Sequence, residues 1–140
     1  MNQNELKNII KNMNRDLALS RIDLDKHMIR QGELYAHYAR ELATAIRDEK
    51  RAKLRLEMLE SHIYRALGQQ HTRVTERMIA VECHTDKKWL MMRQLVDECG
   101  YAVDVLKGIT IALVHKKDML VNLGATVRSE MERLNIKERN

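Results

Sequence analysis

The sequence predicts an all-α fold, a long helical hairpin or elongated helical bundle that assembles into an oligomer. Three features carry that expectation. The 140 residues contain no proline and only five glycines, too few breakers for the turns of a many-stranded sheet. Apolar residues recur at helical rather than alternating spacing over two long stretches. With 44% apolar and 32% charged residues, the chain can bury one core and is too short for two ordinary domains.

Each element has its own signal. Leu6, Ile9, Ile10, Met13 and Leu17 mark a short amphipathic helix over roughly residues 4–18. Its stripe is narrow and its other face rich in Asn, so residues 1–19 are expected to be mobile or recruited to a partner, ahead of a single helical domain over 20–140. Ser20, with Asp23 three residues on, is the expected cap of a helix over 21–67, and Gly68 its expected C-terminal cap. About 46 residues of helix would run roughly 70 Å, so the stripe must find a partner. Met28, Tyr35, Leu42, Leu56 and Ile63 fall at heptad spacing, with Tyr38, Ala45, Ala52, Leu59 and Ala66 as companion row. Both tyrosines are thereby assigned to the core. Glu49 interrupts the seam, either reaching solvent or marking a change of partner.

Thr75 is placed to cap a short helix over 76–83, and Thr85 or Asp86 a last helix over 87–123 with a helical tail. Trp89, Met92, Val96, Cys99, Val103, Leu106, Thr110, Leu113 and Leu120 keep heptad spacing, with Lys117 as the interruption. Val105, Ile109 and Ala112 widen the face beyond a two-stranded seam. That width argues for packing on the long helix and also on a second subunit, through Trp89, Val96, Val103, Ile109 and Leu113. Gly108 and Ala112 would let another backbone approach closely.

Composition excludes several functions. Lys and Arg outnumber Asp and Glu by 25 to 20, a net charge of +5, which favours acidic partners without the density of a histone-like tail. The longest largely apolar run, residues 109–114, falls far short of the roughly 20 residues of a spanning helix, and residues 2–14 are not leader-like. No membrane role and a cytoplasmic setting are expected. Cys83 and Cys99 have no CxxC spacing, which suits a reducing compartment. Glu33-x-x-x-His37 and Cys83-His84 lack the second half of a metal site. Glu57-x-x-Glu60 with Asp97, Glu98 and Asp104 is too sparse for the magnesium site of an all-helical nucleotide pyrophosphatase. No Gly-rich phosphate loop is present. The chain is therefore expected to be no enzyme and to carry neither metal nor cofactor.

One constellation remains. Arg47, Lys50, Arg51, Lys53 and Arg55 face only Asp48 and Glu49, and Arg40, Arg47, Arg51 and Arg55 share a sector of about 80° on an ideal helix. Such a ridge suits phosphates, which repeat along a strand and accept guanidinium forks. The competing account is a solvated face held by pairs such as Glu49 with Lys53. With Tyr35 and Tyr38 assigned to the core, phosphate contact is favoured over base stacking. His115, Lys116, Lys117 and Arg128 form a second basic set.

Leu34-Tyr35, the Arg/Lys-rich helix to Ile63-Tyr64 and Gly68, then residues 75–81, Thr85-Asp86-Lys87-Lys88-Trp89, and a helix reaching residues 115–120 and Leu123-Gly124-Ala125 together resemble the UvsY-like family of phage recombination mediators. The likeness covers roughly residues 30–130. It implies a helical homo-oligomer, ring-like, that binds single-stranded DNA and helps a RecA-like recombinase replace single-strand-binding protein. It also implies a double-stranded DNA phage or prophage origin. Where the family carries Lys and Arg late in the long helix, this chain has Glu57 and Glu60, so the expected DNA contacts rest on the ridge. The rival expectation is a structural or adaptor bundle of a phage particle or replication complex, with a nucleotide hydrolase behind it.

Overall fold

In the computed structural model, which describes residues 1–138, the chain is an all-α helical hairpin. The domain expected over 20–140 therefore ends outside the described residues. Four helices are present among them: α1 (Gln3–Leu17), α2 (Leu24–Gln70), α3 (Glu76–Thr85) and α4 (Lys87–Glu138). Two compact units draw on them: unit 1 holds Met1 and Leu42–Val105, and unit 2 holds Asn2–Glu41 with the chain from residue 106 onward. The division falls inside both long helices rather than after residue 19.

Cap chemistry sets most of the ends. Asn2 and Glu5 form a reciprocal capping box at α1. Thr75 accepts from Met78 N at 3.3 Å, and the Asp86 carboxylate accepts from Lys88 N and Trp89 N at 2.7 and 2.9 Å. Two expected caps fail. α2 starts at Leu24, where the Asp23 carbonyl takes the His27 amide, and Ser20 is not its cap. The helix also runs through Gly68 to Gln70, because glycine in helical conformation costs only about 1 kcal/mol relative to alanine.

In unit 1, Ala52 and Leu56 of α2 bury against Val96 of α4, with Met92, Leu95 and Cys99 around them. Ile63, Leu67 and Cys83 form a second cluster that collects Val74, Met78 and Ile79. Trp89 packs against both clusters, and its indole Nε1 donates to Glu60 Oε1 at 2.9 Å. In unit 2 the core is Leu24, Leu34 and Tyr38 of α2 with Leu106, Ile109, Leu113 and Leu120 of α4.

The seam differs from the expected heptads. Leu24, Gln31, Tyr38, Ala45 and Ala52 keep a seven-residue step, followed by steps of four to Leu56 and from Ile63 to Leu67. Such steps are the correction a 3.6-residue helix needs to hold a stripe inward. Met28 and Tyr35 are 45% and 44% exposed, so Tyr35 is not a core residue. On α4 the expected row holds, with Val96, Val103, Leu106, Leu113 and Leu120 all buried; Ala102, Ile109 and Lys116 add a second inward row, and the buried lysine is Lys116 rather than Lys117. Gly108 has open space beside it, so no other part of this chain approaches it closely.

The expected subunit interface is corrected as well. Val96, Val103, Ile109 and Leu113 are buried within the single chain, Val103 at 3% exposure, and Trp89 lies between two intrachain clusters. The chain itself uses the width of α4 that suggested a second copy. Nor is α1 a free arm. Asp16 in its last turn is buried, accepts the Tyr38 hydroxyl at 2.8 Å, and receives Lys116 Nζ on its carbonyl at 2.7 Å.

Candidate nucleic-acid interface

The ridge is formed in unit 1 by one face of α2. Ala45, Ala52 and Leu56 point that helix into the core. At 100° per residue, Arg47, Lys50 and Arg51 fall on the opposite side, within a sector of about 100°. All three are exposed, so the fold presents them to solvent as a consequence of where the apolar stripe lies.

Local acids offset this charge only at Arg47. Asp48 binds the amino group of Met1. That hydrogen bond holds its carboxyl below the usual carboxylate range, burial opposes the shift, and Arg47 and Arg51 reinforce it. Arg47 Nε lies 3.7 Å from Asp48 Oδ1, while Lys50, Arg51 and Arg55 form no ion pair among the described residues. Glu49 turns away from the ridge. Its carboxylate takes Lys53 Nζ at 2.6 Å and faces Gly100, where a Cβ would lie 3.7 Å from Oε1.

The five expected unit 1 cations are therefore not equivalent. Arg47, Lys50 and Arg51 are brought together. Arg55 is exposed at the margin of their sector, and Lys53 lies on another side of the helix in its pair with Glu49. Arg40 is exposed and belongs to unit 2. Of the second basic set, Lys116 is 4% exposed and cannot reach a phosphate. Burial pushes its pKa down, with the Asp16 charge opposing.

Sequence reasoning missed what lies between the cations. Ala43, Ile46, Arg47, Lys50, Arg51 and Leu54 line a shallow groove of about 390 Å³, and Leu54 is 57% exposed within it. The signal was present as Ala43, Arg47, Lys50 and Leu54 at steps of four, three and four. No family model, curated protein or solved structure matches the chain. The site therefore rests on its own geometry.

Among the described residues, no group of three or more His, Cys, Asp and Glu is placed to hold a metal ion. Desolvation raises both thiols, with Glu60 adding at Cys83, which disfavours a reactive thiolate at either position. No helix of the described residues is long and apolar enough to cross a membrane.

Proposed function

We propose that this chain is a non-enzymatic recombination mediator: it holds single-stranded DNA on the α2 ridge and assists a RecA-like recombinase in replacing single-strand-binding protein. The observation that carries the DNA part is the exposed group Arg47, Lys50 and Arg51, directed away from the core, with Lys50 and Arg51 in no ion pair among the described residues and Glu49 engaged by Lys53. Cations spaced along a helix neutralise successive phosphates and release counterions, a contact that needs no base sequence. The mediator part rests on the resemblance to the UvsY-like family, which also supplies the homo-oligomer and the host-cell cytoplasm as setting. Several protomers, each with a modest ridge, would hold one strand by avidity.

The decisive measurement is a titration of single-stranded DNA at several salt concentrations with the chain carrying Arg47→Ala, Lys50→Ala and Arg51→Ala together. Binding to strands of any sequence should weaken, and the salt slope should flatten by roughly 0.7 per lost contact. Circular dichroism should stay unchanged, because these residues and alanine are all good helix formers. Unaltered affinity would remove the ridge from the function and leave an adaptor bundle as the better account.

A further inference from the structure

The ridge holds more than a phosphate track requires. Within the groove, the apolar surfaces of Ala43, Ile46 and Leu54 lie among three cations, all on one face of α2. None of the three is drawn into the buried core of unit 1. Leu54 is 57% exposed beside Lys50 and Arg51, in a shallow groove open to solvent. A ligand that matches such a site carries an apolar face at a short, fixed distance from a negative charge. A nucleotide in a single strand has that form, an unpaired base joined through its sugar to a phosphate. In a duplex the base faces are stacked inside, and only base edges in the grooves and the backbone charges remain available.

We infer that Leu54, with Ala43 and Ile46, forms a base-contacting floor between Arg47, Lys50 and Arg51, and that this floor makes the site select single strands over duplexes. The inference rests on the DNA reading above and adds a specificity determinant to it. The cations set strength and salt dependence, and the floor discriminates the form of the nucleic acid. Because every base has an apolar face, the selection is for unpaired bases and not for sequence. Glu57 and Glu60 lie outside the groove lining.

The experiment uses the full chain and three fluorescent oligonucleotides of one length: a single strand, its duplex, and a single strand in which the central nucleotides are abasic. The abasic strand keeps the phosphates and removes the bases. The unmodified chain should bind the ordinary strand about fivefold more tightly than the abasic one. Leu54→Ala should close most of that gap without changing the salt slope, and Arg51→Ala should lower the slope and keep the gap. Circular dichroism and light scattering of each variant report helicity and mass. Equal binding of ordinary and abasic strands, with binding retained, overturns the floor and leaves the ridge standing. Binding of neither strand brings down the DNA reading and the floor together. If Leu54→Ala alters the mass of the assembly and leaves the gap intact, the groove belongs to a second copy of the chain and the inference fails.

Discussion

Asp16 is the residue on which unit 2 converges. Its carboxylate takes the Tyr38 hydroxyl and lies 3.3 Å from Arg15 Nε and 3.7 Å from Arg30 Nη2, while its carbonyl takes Lys116 Nζ. Burial, then the hydrogen bond to Asp16 and its charge, push the Tyr38 hydroxyl from 10.0 up to about 12. An unfolded chain gives up that proton first, so the contribution of Tyr38 to stability is complete below pH 10 and is lost between 10 and about 12. Lys116 works in the opposite sense. Its lowered pKa makes burial costly at neutral pH, and that cost lifts as pH rises toward 10.5. In urea titrations, the advantage of the unmodified chain over Tyr38→Phe should hold steady up to pH 10 and shrink above it. A constant difference to pH 12 would contradict the Asp16 contact. Gln31, whose amide donates to the Leu113 carbonyl at 2.6 Å, keeps a buried Oε1 without a partner, and nothing in the structure explains it.

At the scale of elements, the caps of α3 and α4 can be ranked. Asp86 takes two amides at short range at the start of α4, where Trp89 joins both clusters of unit 1, whereas Thr75 takes one at 3.3 Å. Asp86→Ala should cost about 1 kcal/mol or more, and Thr75→Ala less, as read from denaturation midpoints. Val103 offers a sharper contrast. On a subunit seam, Val103→Asp would release folded monomers. Buried inside one chain at 3% exposure, it places an unpaired charge in the core and should unfold the protein. Loss of helical circular dichroism along with mass is the expected result, and a folded monomer would restore the interface reading.

For the whole molecule, the charge of +5 favours association with a polyanion but does not specify one. Large apolar side chains stay exposed on a single chain, among them Met91, Tyr101, Ile29 and Ile111 at 58–79%. Such side chains mark assembly only where they join into a contiguous patch; the proposed homo-oligomer predicts a mass above that of the monomer in light scattering. A monodisperse monomer at micromolar concentration would remove the avidity argument. The mediator role asks for more than binding. With the cognate recombinase, the chain should shorten the lag of filament assembly on coated single-stranded DNA, and the triple ridge variant should lose that effect. DNA binding with no change in lag would leave a binding module and no mediator.

What the sequence determined by itself is the local part of this protein. The absence of proline, the 3.6-residue period and the cap residues Thr75 and Asp86 are properties of neighbouring residues, so the helices and most of their ends were legible. So was the charge of the ridge, since side chains four apart on a helix share a face whatever packs behind it. Tertiary structure alone decided which of several apolar rows turns inward. A row displaced by one residue differs by only 100°, and partner packing selects among such rows. That selection put Tyr35 outside and Tyr38 inside, buried Lys116 rather than Lys117, and turned an expected subunit seam into intrachain core. It also left Leu54 bare between three cations, because the direction a side chain faces is fixed only when the opposite side of its helix has been buried, whereas the pair of Glu49 with Lys53, four apart on one helix, was legible from the sequence.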